Sequence, residues 1–249
     1  MSRPPSLALF GFGAFGQLLA PLLAPDTRLC VCDPARQAEV QTQGYVPADL
    51  RDAARSEILL LAVPLAALPG LLAALAPHLR PGQVVVDTCS VKEEPARLMR
   101  ALLPEGVELI GSHPMFGPAS ARTGLRGAQV VLCPLRGRGW RRLGAVLRVR
   151  HGLQVIVTTP EQHDAEAALS QGLTHLLGRA MAGMGPAPRI RTRSFELMME
   201  ALSMVAGDAP EVYEAVTAGN RHVAPLRARL AAALAAPEAP GAAPDSKAG

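Results

Sequence analysis

Ser6-Leu7-Ala8-Leu9-Phe10-Gly11-Phe12-Gly13-Ala14-Phe15-Gly16 is the stretch on which the reading of the fold turns. Its first five residues form an apolar run of strand character, and Ala14–Leu23 continues as a helix-compatible segment. A bare G-x-G-x-x-G carries little weight, but one set between a strand and a helix start has the context of a dinucleotide-binding turn. Gly11 permits the tight turn, Gly13 lets the backbone approach a pyrophosphate, and Gly16 allows close helix–sheet packing. The unpaired N–H groups at the helix start receive the phosphates. An ordinary glycine-rich strand–helix turn is the competing reading. On the functional one, Gly11, Phe12, Gly13, Ala14, Phe15 and Gly16 are candidate cofactor contacts.

Working outward, the next strand ends in Asp33, 22 residues after Gly11 (33 − 11), where such folds carry an acid for the adenosine ribose hydroxyls. A carboxylate there repels a 2′-phosphate, so NAD is expected over NADP, with Arg36 able to soften the preference. Asp33 before Pro34 also suits a helix N-cap. Val63 and Pro64, closing the run Glu57–Val63, complete the candidate cofactor set.

Strand-like runs at Ser6–Phe10, Arg28–Cys32, Glu57–Val63, Gln83–Asp87, Val107–Ile110 and Gln129–Cys133 alternate with helical segments, and the alternation ends near Gln154–Thr158. Strands separated by helices need crossover connections. The expectation is an α/β fold: an N-terminal Rossmann-type, mostly parallel sheet over residues 1–155, and a smaller all-helical substrate and dimerisation domain over 156–232. Residues 233–249, rich in Ala, Pro and Gly, are expected to form a disordered tail.

Apolar residues make up 49% of the 249 and charged ones 18%, a globular balance. The net charge of +4 is spread along the chain without basic blocks or interleaved aromatics, which argues against nucleic acid and suits a small anionic substrate. The uncharged run Ile58–Leu79 is broken by Pro64, Pro69, Gly70 and Pro77, and reads as a strand and an apolar helix, so no membrane partner is expected. No signal peptide is apparent, and Cys30, Cys32, Cys89 and Cys133 lack zinc or disulfide-framework spacing. A soluble cytoplasmic protein without a metal is expected.

Two further strand ends carry polar residues: Asp87-Thr88-Cys89-Ser90-Val91-Lys92 and Gly111-Ser112-His113-Pro114-Met115-Phe116-Gly117-Pro118. Ligands of open α/β sheets bind beyond the carboxyl ends of strands, so Ser90, Lys92 and His113 are expected to converge beside the nicotinamide. Lys92 is the one lysine in the body of a chain whose other cations are arginines, Lys247 apart. A satisfied loop imidazole is the bland reading of His113. For Ser90 it is a helix N-cap, since Glu93 stands at capping-box spacing.

These segments, with Gln162-His163-Asp164 and Ser170-Gln171-Gly172-Leu173-Thr174-His175, resemble the prephenate/arogenate dehydrogenases of tyrosine biosynthesis, above all the plant-type arogenate dehydrogenases and related bacterial proteins. The resemblance runs from about residue 6 to 225. It implies a Rossmann domain joined to a helical dimerisation domain of the 6-phosphogluconate-dehydrogenase-like kind. It also implies an NAD-dependent oxidative decarboxylation in which hydride leaves the cyclohexadienol carbon and carbon dioxide is lost. His113 then matches the catalytic histidine, and Ser90 the serine that binds the ring hydroxyl. A neutral imidazole accepting from a carbinol O–H suits this independently.

In the helical part, Thr159-Pro160-Glu161-Gln162 predicts a capped helix from Pro160 to about Ala182. At about 100° per residue His163, Ser170 and Thr174 lie within about 20° of one meridian, with Gln171 about 80° away. That stripe reads either as a solvated face or as a cleft lining, the latter making Gln171 and Thr174 substrate contacts. Bacterial relatives hold the substrate carboxylate with an Arg in a Phe-x-Asp-x-Thr-Arg stretch. This chain reads Arg191-Thr192-Arg193-Ser194-Phe195-Glu196, and Arg193 is the candidate, with Arg191 in reserve. Plant-type proteins carry an acid in the strand that here reads Val130-Val131-Leu132-Cys133, which favours prephenate over arogenate. Some 80 Ala/Leu/Met-rich helical residues cannot all be buried against one neighbour, so a homodimer through the helical domain is expected. The alternatives are another dehydrogenase of the same superfamily and a non-catalytic dinucleotide sensor.

Overall fold

The computed structural model describes residues 3–118 and 120–236. Eight strands form one sheet in the order β3-β2-β1-β4-β5-β6-β7-β8. They are β1 (Ser6–Phe10), β2 (Arg28–Cys32), β3 (Val46–Pro47), β4 (Ile58–Leu61), β5 (Val84–Asp87), β6 (Glu108–Pro114), β7 (Gln129–Arg136) and β8 (Gln154–Val157). Every pairing is parallel except β6 with β7. The first six strands follow the doubly wound order, which reverses direction at β1 and opens a crevice between β1 and β4.

Helices α1 (Ala14–Leu23), α2 (Gln37–Thr42), α3 (Leu50–Ala53), α4 (Leu68–Leu75), α5 (Glu93–Leu102) and α6 (Trp140–His151) cover the sheet. The strands are continuously apolar because both faces are covered. Leu59, Leu61, Val85 and Leu109 pack with Leu68, Leu72, Leu75 and Met99 on one face. Leu7, Leu9, Leu60, Val86 and Ile110 pack with Leu19, Ala20 and Val40 on the other. The run Ile58–Leu79 thus becomes β4 and α4, and among the described residues no helix is long and apolar enough to cross a membrane.

The helical part holds α7 (Pro160–Ala167), α8 (Leu173–Ala182), α9 (Arg193–Ala206), α10 (Pro210–Thr217) and α11 (Val223–Ala235). Thr159 caps α7, its side chain accepting from the Gln162 N–H, with Pro160 at the first helical position. β8 runs to Val157, two residues past the expected end of the sheet domain, and we propose the division between Val157 and Pro160. Of the expected tail, residues 233–235 belong to α11 and 237–249 lie outside the described residues.

Two local expectations are corrected. His113 lies inside β6 and not beyond a strand ending at Ile110: β6 outlasts β5, whose last pair is Asp87 with Gly111, because β7 continues the ladder as far as Pro114 with Val130. The helix from Pro160 is continuous to Ala182 but contains a π turn at Ala168–Gly172. A π turn adds a residue to one turn and rotates everything after it. His163, ahead of the turn, is buried; from the turn onward Gly172 and His175 are buried and Gln171 half-buried, while Ser170 is exposed. The inward face carries Gln171 and His175 where a regular period puts Ser170 and Thr174.

Candidate active site

The glycine turn lies at the carboxyl end of β1, against the end of β4. Gly11 has φ +92°, and a Cβ there would stand 2.3 Å from the Ala62 carbonyl oxygen and 3.1 Å from Val63. A Cβ on Gly16 would stand 2.2 Å from the Gly11 carbonyl oxygen. A Cβ on Gly13 would meet nothing within 4 Å, so the backbone there is open to a ligand. The first-turn N–H groups of Ala14, Phe15 and Gly16 have no intrahelical acceptor. Phe12 differs from the expectation. Its ring is fully buried, edge-on to Tyr45 at 5.9 Å, and its N–H donates to Asp33 Oδ2 at 2.7 Å, so it braces the turn.

Asp33 also accepts from the Ala35 N–H at 3.1 Å, and α2 starts only at Gln37, so Asp33 is no helix cap. Its carboxylate stands beside the glycine turn with lone pairs to spare for ribose hydroxyls. Arg36 is engaged by Glu39 at 2.6 Å. The open backbone at Gly13, the unpaired helix start and this carboxylate together fit a dinucleotide whose ribose carries no 2′-phosphate.

Across the crevice, β5 and β6 run side by side, so Ser90, three residues past Asp87, and His113, two past Gly111, share the edge that holds the glycine turn. Ser90 makes no hydrogen bond among the described residues. It does not cap α5. Asp164 of α7 does, accepting from the Lys92 N–H at 2.7 Å and the Glu93 N–H at 2.9 Å. The Ser90 hydroxyl is left for another partner.

His113 is buried, and its Nδ1 lies 2.9 Å from Nε2 of His163, whose Nδ1 lies 2.7 Å from Asp164 Oδ1. Burial, then His163, then Lys92, hold the His113 imidazole well below the usual histidine range, so the ring is neutral at pH 7. Its Nε2 has no hydrogen-bond partner among the described residues.

Lys92 corrects a second expectation. Its side chain is 0% exposed, so it cannot meet a substrate. The ammonium pairs with Asp87 and donates to the Ser112 carbonyl at 2.6 Å, while the Ser112 hydroxyl donates to the Asp87 carbonyl at 2.6 Å. Burial pushes the Asp87 carboxyl upward and Lys92 opposes it. The pair pins the backbone immediately before His113. Burial likewise raises the Cys89 and Cys133 thiols to about 12, which leaves both unreactive.

The helical candidates divide. Gln171 Oε1 is buried without a partner at the π turn, whereas Thr174 Oγ1 donates to the Ser170 carbonyl at 2.8 Å. Arg193 opens α9 with its side chain 74% exposed and 3.5 Å from Glu196, and α9 packs on α8. Arg191 is likewise exposed and donates to the Pro188 carbonyl. No group of three or more His, Cys, Asp or Glu able to hold a metal occurs among the described residues. Residue-by-residue reading missed Asp164, whose signal was an acid beside a histidine near the start of a capped helix.

The family model for the prephenate dehydrogenase nucleotide-binding domain matches residues 31–159. The chain is 28% identical over 186 residues to a probable arogenate/prephenate dehydrogenase of Methanocaldococcus jannaschii, covering 70% of this chain and 41% of that protein. It is 30% identical over 227 residues to the chloroplastic arogenate dehydrogenase 1 of Arabidopsis thaliana, covering 84% of this chain and 35% of that one. The chain thus spans less than half the length of either relative. A solved prephenate dehydrogenase from A. aeolicus, in complex with hydroxyphenyl propionate and NAD+, shares the fold with a TM-score of 0.72 at 19% identity, over 94% of this chain and 89% of that one.

Proposed function

The chain belongs to the prephenate dehydrogenase family, and from that premise we propose that it catalyses the NAD-dependent oxidative decarboxylation of prephenate, with His113 as the catalytic base. The observation that carries this is the neutral, buried His113, whose Nε2 is unpartnered beside the free hydroxyl of Ser90, on the sheet edge that also holds the glycine turn.

NAD, when bound, supplies the hydride acceptor. Ser90 and His113 Nε2 hold the substrate's ring hydroxyl, Ser90 as donor and His113 as acceptor. As hydride leaves the carbinol carbon, its O–H proton passes to Nε2. The ring carboxylate then departs as carbon dioxide, its bonding pair completes the aromatic ring, and the oxygen takes the proton back, so His113 ends as it began. The cofactor is held by the Gly11–Gly16 turn, Val63 and Pro64, and Asp33. Asp33 repels a 2′-phosphate, and Arg36, the cation near it, is paired with Glu39. Gln171, with its unpaired Oε1, is the substrate contact we favour in the helical part.

Val130, Val131, Leu132 and Cys133 offer no carboxylate for an ammonium, which supports prephenate over arogenate. Exposed Leu169, Leu197 and Met204 support a homodimer through the helical domain, and there Arg191 or Arg193 of one copy could serve the cleft of the other. Four free thiols suit a reducing cytoplasm. Incubation with NAD and each of prephenate and arogenate, following absorbance of the reduced cofactor, tests the reading. Faster turnover of prephenate is expected, and no reduction with either substrate overturns it.

A further inference from the structure

We propose that His163 and Asp164 are positioning residues for His113: joined to it in series, they fix the tautomer that leaves Nε2 as the acceptor and take up the charge created when Nε2 is protonated. This rests on the reading of His113 as the base.

The argument starts at Asp164. Its two oxygens meet the Lys92 N–H at 2.7 Å, the Glu93 N–H at 2.9 Å and His163 Nδ1 at 2.7 Å. Two of these are backbone donors, so the carboxylate is an acceptor throughout and His163 Nδ1 must carry a hydrogen. A neutral His163 then presents a lone pair at Nε2. Two lone pairs cannot face each other at 2.9 Å, so the hydrogen between the rings belongs to His113 Nδ1, and His113 Nε2 is bare. A lone imidazole chooses between tautomers. This one is assigned by a carboxylate two bonds of the network away.

The second half of the proposal follows from where the charge can sit. His113 is buried and faces Lys92 of the β5–α5 connection, whose charge Asp87 balances, and His163 and Asp164 of α7. Its ring resists a cation through burial first, then His163 and Lys92. When Nε2 gains the substrate's proton, the Nδ1 hydrogen can pass to His163 Nε2, which seats the cation against the Asp164 carboxylate. His113 is then neutral with a hydrogen on Nε2, the form that returns the proton to the phenolic oxygen. One proton's difference converts the acceptor form into the donor form, and atoms and charge balance at every stage.

The series also crosses the two halves of the molecule. His113 stands on β6, whereas His163 and Asp164 stand on α7, tied down by Asn220 Nδ2 donating to the Asp164 carbonyl at 2.8 Å. Because the same carboxylate caps α5, it also holds the connection that carries Ser90.

Nitrogen-15 NMR of the histidine rings in the full chain, above the histidine titration range and without substrate, reads the tautomer directly, and His113→Asn identifies the signals. In the unmodified protein Nδ1 of His113 should be protonated and Nε2 bare. The opposite assignment overturns the proposal without any variant. His163→Leu removes the acceptor, and should leave a mixture of tautomers with turnover lower by roughly 10²-fold and NAD affinity unchanged. His163→Gln restores an acceptor oxygen, and should recover the single tautomer and part of the turnover. An unchanged tautomer in folded His163→Leu also overturns the proposal. Failure to reduce NAD with either substrate sinks the functional reading alone, since the NMR result needs no turnover.

Discussion

The sheet half of the molecule buries a large apolar core between its own layers while leaving Val46, Leu102, Val146, Val149, Ile156 and Val157 exposed, whereas the shorter helical half buries few large apolar side chains and leaves more of them bare. In the first, Leu59, Leu61, Leu68, Leu72, Leu75 and Leu109 are each 0% exposed. In the second, exposure reaches 49% at Leu197, 55% at Met204, 60% at Leu169 and 91% at Ile190, and the buried hydrophobic residues among those described are Ala167, Ala168, Leu202, Val216 and Val223. A doubly wound sheet satisfies itself because crossover helices return to cover both faces. A few helices following such a sheet have no second layer of their own. The first half therefore holds a cofactor turn rigidly, while the second depends on what it docks against. The site needs both: His113 comes from the self-sufficient half, and the groups that orient it come from the other.

The largest expected effect lies on the sheet side. His113→Asn should lower turnover by roughly 10²–10⁴-fold while NAD affinity, set by the glycine turn and Asp33, stays within about twofold. Near-normal turnover would reduce His113 to a filler of the β6–β7 ladder, and lost NAD binding would mean that the two functions of the sheet edge are not separable. Next comes Lys92→Met, which strips the partner from a fully buried carboxylate. Removing one member of such a pair costs about 3–5 kcal/mol, so denaturant unfolding should shift by that order. An unchanged midpoint would show that Asp87 is neutral in the fold.

The helical side is probed by Leu169→Glu. If a second copy covers the bare face, a charge there should convert a dimeric mass by light scattering into a monomeric one, with turnover falling as the site loses its support. A monomeric mass for the unmodified protein at micromolar concentration would remove the contrast between the halves, leaving the exposed leucines unexplained. A smaller effect is expected at Asp33→Ser, where loss of the carboxylate should raise efficiency with NADP relative to NAD by roughly tenfold, a difference of about 1.4 kcal/mol. A protein that already prefers NADP would contradict the reading of Asp33 and of the occupied Arg36.

What could be read from the chain alone divides along the same line. Gly11, Gly16 and Asp33 obey local rules, a turn that needs positive φ, a close approach and a strand end, so their arrangement was legible in a few consecutive residues. His113 was placed past the end of a strand closing at Ile110 because the antiparallel partner that extends β6 arrives from residues 129–136, beyond any local pattern. The inward face of α7 and α8 was misjudged because a π turn leaves no mark in a period of 3.6. Ser90 looked like a cap for α5, and the true cap, Asp164, lies 72 residues away from the amide it serves. Lys92 drew attention as the one lysine in the body of the chain, but its role depended on Asp87, whose charge appeared to be no more than the end of a strand.

The smallest effect is the pH dependence of stability, and its sign follows from His113. Burial lowers the folded imidazole well below the ordinary value, whereas in the unfolded chain it titrates near 6.5. Between those two values the unfolded state binds the extra proton, so stability rises with pH: the contribution is complete above about 6.5 and is lost as pH falls toward the folded value, at up to about 1.4 kcal/mol per pH unit. Activity follows the same depression, since the neutral ring is the active one, and the acid limb of turnover should fall below 6.5 rather than at it. Denaturant midpoints for the unmodified protein and His113→Asn across this range supply the check. Their separation should change as pH drops, the variant losing less stability per pH unit. Parallel curves would mean that His113 takes up its proton as readily in the fold as in the unfolded chain, and the depression that keeps the base neutral below pH 6.5 would have to be given up.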